Sequence, residues 1–285
     1  MPKSHSSVQA VKDQAKQTVT NAVANPWIDQ FARFGYAAKG VVYIIVGLLA
    51  TEVAVGLGGQ VTDSEGALQA IMIHPFGKVL LLGIAFGLVG YVLGCLVQAM
   101  VDPTAQGTDT QRVLQRLGYA LSGLSYAGLA LAAAKMIIGF KNSKGNSSVD
   151  WTARLLSQPF GRWLVVLIGV TVIVVGFSYF YRAYTTEFLD QFDVLEMSKI
   201  ELFWATHLGR FGMSARGSIF GVIGIYLIQA ALRFDPEEAK GLGGALKAIA
   251  QQPFGLFLLG VIAVGLIAYG IYEIVLARYR RIVQF

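Results

Sequence analysis

Charge is scarce in this chain. Asp, Glu, Lys and Arg make up 14% of its 285 residues, where a soluble domain of that length carries about a quarter. The deficit is concentrated in six apolar windows, 36–57, 79–101, 117–140, 163–184, 213–232 and 256–277. Each is about 20 residues long, enough to cross a ~30 Å hydrocarbon core as a helix. Few polar residues line one side of them, which excludes the amphipathic helices of a soluble core. Cysteine is almost absent: Cys95 stands alone inside the second window, which excludes an intrachain disulfide and reads as packing. Histidine is scarce as well. His5, His74 and His207 fall outside the windows or at their ends, which argues against a haem held by paired histidines in the membrane. No span carries a metal-ligating histidine pair or a carboxylate pair at helical spacing. No catalytic residue, metal site or cofactor is therefore expected, and the chain is not read as an enzyme. A nucleic-acid partner is not expected either.

What the sequence has instead is a unit used three times. Arg210-Phe211-Gly212 with Arg216-Gly217 opens the fifth window, and Arg33-Phe34-Gly35 with Lys39-Gly40 opens the first. Arg116-Leu117-Gly118 with Ser122-Gly123 opens the third. Roughly forty residues on from each comes a second signature: His74-Pro75-Phe76-Gly77, Gln158-Pro159-Phe160-Gly161 and Gln252-Pro253-Phe254-Gly255. Each of these opens a further apolar run. Proline suits the first turn of a helix, where its missing N–H has no intrahelical partner to lose. The Pro-Phe-Gly signature therefore predicts the start of the second span in every repeat. Before it, Leu68 and Ile71, Thr152 and Leu155, and Leu246 and Ile249 recur at the same offsets from the proline. That pattern predicts a short interfacial helix, apolar side down, feeding each second span. Gly83 with Gly87, Gly90 with Gly94, and Gly217 with Gly221 are spaced for close helix packing in lipid.

The chain divides into a polar leader at 1–30, repeat one at 31–101, repeat two at 112–184, an acidic link at 185–207 and repeat three at 208–285. The leader shows no cleavable signal, and its valines and alanines recur at weakly helical spacing. In the link, Phe188, Phe192, Leu195 and Leu202 alternate with Glu187, Asp190, Asp193 and Glu196. This predicts an amphipathic helix: a solvated linker, one on the membrane surface, or one that docks a membrane-protein partner.

The threefold Arg-Phe-Gly helix, the Pro-Phe-Gly helix and the closing Tyr269-Gly270-Ile271-Tyr272…Arg278-Tyr279-Arg280 resemble a bacterial integral-membrane family. It is catalogued as domain of unknown function number twelve-hundred-and-six. The resemblance covers nearly everything after residue 30; repeat two departs from it with Leu117 and Ser122. It implies an all-α polytopic membrane protein, six transmembrane helices from three tandem two-helix repeats, and brings no activity or site with it.

An even number of spans per repeat makes the units point the same way, which predicts a pseudo-threefold axis along the membrane normal and a closed six-helix bundle. The distribution of basic residues favours both termini in the cytoplasm, and the resemblance implies a bacterial cell, with the spans expected in its inner membrane. Arg33, Arg116 and Arg210, with Lys39 and Arg216, are the expected anchors at the cytoplasmic interface, binding phosphates of anionic lipid or capping neighbouring helices. Nineteen residues on from the opening arginines stand Glu52, Lys135 and Gln229, a candidate polar cluster towards the outer end. Few charges within the spans and many glycines favour a non-catalytic structural, lipid-binding or partner-binding protein of the bilayer. The alternative is a small-solute or ion transporter or channel with a path on the pseudo-axis.

Overall fold

The computed structural model describes residues 26–101, 109–140 and 147–280. The leader up to residue 25, together with Lys141, Lys144 and Arg281, lies outside them. Six long helices carry the apolar windows: α1 (Pro26–Ala54), α3 (Gly77–Val101), α4 (Asp109–Ile138), α6 (Gly161–Thr185), α7 (Lys199–Arg233) and α9 (Gly255–Tyr279). Each is long and apolar enough to cross a membrane. Three short helices precede the second spans, α2 (Ser64–Ile73), α5 (Ser147–Leu156) and α8 (Leu242–Ala250).

The Pro-Phe-Gly signature stands where the sequence places it, at the start of α3, α6 and α9. The proline is not inside the first turn, however. It lies in the tight turn before it, and the phenylalanine that follows takes a left-handed conformation, with φ of 65° at Phe76, 63° at Phe160 and 58° at Phe254. A left-handed non-glycine residue costs about 1–2 kcal/mol, and the turn repeats it three times. The glycine that follows explains why the turn is fixed. A Cβ on Gly77, Gly161 or Gly255 would strike the last carbonyls of the preceding short helix, those of Ile71, Leu155 and Ala250. Gly161→Ala is therefore expected to lose about 1–3 kcal/mol in thermal unfolding in detergent, the usual cost of overpacking. Gly128→Ala, where a Cβ meets nothing within 4 Å, is expected to gain about 0.5–1 kcal/mol from helix propensity.

The short helices turn their apolar side to the protein. Leu68 and Leu246 are fully buried, and Ile71, Thr152 and Ile249 are buried beside them. Gly243 backs onto the first repeat so closely that a Cβ there would lie 2.9 Å from the Asp63 nitrogen, and one on Gly241 would lie 2.7 Å from Ser148 Oγ. The short segment of repeat three thus touches those of both other repeats.

The acidic link is not an amphipathic helix. It makes two 3₁₀ turns, Glu187–Gln191 and Val194–Glu196. Phe188 and Phe192 drive into the core against Tyr272, with ring centroids 5.4 and 5.7 Å apart. Gly209 makes the slot: a Cβ there would lie 2.6 Å from the Phe188 ring. The link then pairs with the last helix, Asp193 N–H donating to Tyr279 O at 2.7 Å and Tyr279 O–H to Glu201 Oε1 at 2.7 Å.

The long helices pack in the order α6, α7, α9, α1, α3, α4. The expected closed bundle is corrected here. Among the described residues α4 and α6, the two spans of repeat two, do not form a packed pair, so the arc stays open on that side. The sequence supplies the reason. In repeats one and three the two spans meet through small residues: a Cβ on Gly87 would touch Ala38 Cβ at 2.5 Å, and one on Gly265 would touch Ala215 Cβ. Repeat two carries the larger Leu121 and Thr171 at those positions, and neither allows the same close approach.

Candidate functional site

The interior between the helices is charged. Lys39 and Glu273, 4% and 2% exposed, form an ion pair with Nζ 2.7 Å from Oε1. Lys39 Nζ also donates to Tyr269 OH at 3.1 Å and Tyr91 OH at 3.4 Å. It lies 4.9, 5.4 and 5.6 Å from the ring centroids of Tyr91, Tyr269 and Tyr126. Arg216 donates to the same Tyr269 hydroxyl from the other side. Its guanidinium lies over the rings of Tyr269, Tyr43, Tyr179 and Phe220, at 4.8, 5.0, 5.1 and 5.3 Å. Tyr126 O–H donates to Tyr43 OH at 3.1 Å. Every long helix contributes: α1, α3, α4, α6, α7 and α9 each send at least one of these side chains inward.

The repeats account for the arrangement. Lys39, Ser122 and Arg216 are equivalent, six residues after the opening arginines; Tyr43, Tyr126 and Phe220 follow four residues later. On the second spans Tyr91, Val175 and Tyr269 stand sixteen residues after the proline, and Cys95, Tyr179 and Glu273 stand twenty after it. Four positions repeated three times build the whole cluster. Tyr269, Tyr272 and Arg280 belong to the closing motif, and Glu273 sits inside it.

Lys39 and Arg216 are therefore corrected. They were expected as interface anchors, but both turn inward. Lys39 is held by Glu273, and Arg216 by tyrosine rings. The three opening arginines do sit at one end, and their contacts are the capping kind. Arg33 donates to the carbonyls of Arg278 at 2.5 Å and Arg280 at 3.0 Å, Arg116 to Ala99 O at 2.6 Å, and Arg210 to Tyr184 O at 3.3 Å. Each thus ties the start of one repeat to the last carbonyls of another repeat's second span, where a cation also meets the negative end of the helix dipole. Replacing each by glutamine checks this by thermal unfolding in detergent. Arg33→Gln is expected to lose the most, about 1.5–3 kcal/mol, because it is half-buried and caps two carbonyls.

Glu52, Lys135 and Gln229 do not come together. Glu52 and Lys135 are exposed and Gln229 is half-buried, and among the described residues no hydrogen bond or ion pair joins them. Lys135 acts on a different carboxylate, that of Glu65 on α2. Burial first, and Asp63 second, hold the Glu65 carboxyl above its ordinary range, while Lys135 pulls it down. The nineteen-residue offset points each side chain off the interior, whereas the six- and ten-residue offsets point into it.

At the arginine end Arg280 closes the interior. It is buried, lies 4.2 Å from the Tyr36 ring centroid and donates to Gln98 Oε1 at 2.7 Å.

These features define a class: a polytopic membrane protein of three tandem two-span repeats around a buried, tyrosine-lined cluster of charge. The family described as Domain of Unknown Function (DUF1206) matches the chain three times, over residues 34–102, 117–186 and 211–280, and the chain belongs to that family. The Bacillus subtilis (strain 168) protein called Uncharacterized protein YxxB is 37% identical over 271 residues, covering 95% of this chain and 98% of that one. No solved structure matches the chain.

Proposed function

We propose that this protein is a non-catalytic binding protein of the bilayer, which holds a lipid-like ligand inside the bundle and does not pass solute through it. The observation that carries this is the Lys39–Glu273 pair with Arg216 beside it, set among tyrosines from five long helices. Charge in a membrane interior is costly and marks a site of function. The two ends support binding over conduction. The short segments of the three repeats meet at one, and Arg280, Phe188 and Phe192 are buried at the other. In reconstituted vesicles the protein is expected to bring no flux of ions or metabolites, while lipid extraction of the purified protein recovers a bound amphiphile. Flux that disappears in Glu273→Gln would replace this reading with transport, the second reading, which the ionisable pair itself favours.

The reading places the spans in the bacterial inner membrane with the arginine end inside, because Arg33, Arg116, Arg210 and Arg278 gather there. A sidedness reporter fused after Phe285 that reads external would reverse it. A protein partner at the link would read Val194, Leu195 and Glu196, since Phe188 and Phe192 are inside.

A further inference from the structure

Lys39 and Glu273 neutralise one another, which leaves Arg216. Among the described residues no carboxylate lies within ion-pair distance of it, and its buried Nε has no hydrogen-bond partner. A guanidinium stays charged at any working pH. An unpaired charge in a low-dielectric interior is strongly unfavourable, and cation–π contacts with four rings offset only part of that.

The side of the arc that no packed helix pair closes is the one between α4 and α6. Repeat two departs from the other repeats at the positions that would wall it off. Ser122 stands where the others carry Lys39 and Arg216, and Val175 where they carry Tyr91 and Tyr269. Val175 is 38% exposed on α6. Thr171 and Ser178 are exposed above and below it, and Ser125 is exposed on α4. The hydroxyls of all three bond carbonyls of their own helices. Tyr179 of α6 borders the seam and lies under the Arg216 guanidinium. Both edges of the seam are spans, so it opens to lipid.

Resting on the binding reading above, we infer that Arg216 takes the head of an anionic amphiphile, a carboxylate or phosphate on an acyl body, which enters sideways from the bilayer between α4 and α6. The oxyanion head accepts from Arg216 Nε, the tyrosine rings surround it, and the acyl body lies in the seam between Ser122 and Val175. The head supplies the negative charge that the cluster lacks.

The test is a native mass spectrometry titration of the full chain in neutral detergent with oleate, dioleoylphosphatidylglycerol and monoolein. Saturable binding of one oleate or one phosphatidylglycerol, with monoolein weak, supports the inference, and the stronger of the two tells a free fatty acid from a membrane phospholipid. Arg216→Gln is expected to weaken that binding by about tenfold or more, the loss of one charge-assisted hydrogen bond. Val175→Tyr, which restores the side chain of the other two repeats and leaves Arg216 in place, is expected to block binding while thermal unfolding stays cooperative. It keeps the test open if Arg216→Gln does not fold. Monoolein binding as well as oleate, blocked by Val175→Tyr, would overturn the anion and leave the binding reading standing. Anion binding unchanged in both variants would overturn the site. No binding in any arm would overturn the inference and the reading together.

Discussion

Glu273→Gln is expected to cost about 3–5 kcal/mol of stability, the range for breaking one partner out of a buried ion pair. The carboxylate is the one negative charge in the described cluster. Its loss leaves Lys39 and Arg216 facing the same Tyr269 hydroxyl with nothing to balance them. Lys39→Met should cost less. It takes away the ion-pair partner of Glu273 but leaves the Arg216 guanidinium across Tyr269 to attract it. The double replacement Glu273→Gln with Lys39→Met should recover a large part of the loss, because two buried charges go together and the methionine refills much of the lysine volume. Thermal or chemical unfolding in detergent reads all three. Equal costs for the two single variants would refute a net positive interior, and strictly additive costs would refute the pairing itself.

The architecture was legible in the sequence because its signals are local and repeated. Each span announces itself by length and apolarity alone, and Pro-Phe-Gly marks a turn whose glycine backs onto the preceding helix. The short helices were legible for the same reason, from two apolar positions at fixed offsets before proline. The interior was legible only as parts. Lys39 and Arg216 were visible as the basic residues of the opening motif, six residues past its arginine, a depth at which a long side chain can reach either the headgroups or the interior. Which way it turns depends on the helices packed beside it, and Gly40 and Gly217 bring those helices in. Glu273 stood inside the closing motif, but a lone acid on one span has no visible partner until the last helix packs on the first. Phe188 and Phe192 misled for a related reason. An amphipathic spacing says that one side is covered, not whether lipid or Tyr272 covers it. The open side of the arc was also written in the sequence, in Leu121, Thr171, Ser122 and Val175, but these departures acquire a direction only once the other repeats show what the same positions do when closed.

Gly270→Leu is expected to be the most damaging change to packing alone. Gly40 on α1 and Gly270 on α9 cross backbone to backbone: a Cβ on either would lie 2.5 Å from the carbonyl oxygen of the other. The same crossing recurs between Gly217 and Gly176, where the corresponding distances are 2.8 and 2.9 Å, so it is a device of the repeat. In lipid, helices associate through such close packing and have no hydrophobic drive between them. A side chain at Gly270 meets main-chain atoms of Gly40 and Ile44, which no rotamer change removes, so α9 must move away from α1. That displacement has a second cost. Gly40 directly follows Lys39, and Gly270 lies one turn before Glu273, so separating the crossing also pulls on the 2.7 Å ion pair. Overpacking alone costs about 1–3 kcal/mol, and the pair adds to it, so the variant is expected to lose more than Gly161→Ala does. Gly221→Leu is the control. It belongs to the Gly217–Gly221 four-residue spacing, yet a Cβ there meets nothing within 4 Å, and it is expected to cost no stability and to gain up to about 1 kcal/mol from helix propensity. Gly270→Ala should fall between the two. Comparable losses for Gly270→Leu and Gly221→Leu, measured side by side in one detergent, would mean that glycine spacing and not the crossing sets stability, and the link between helix contact and the buried pair would fail with it.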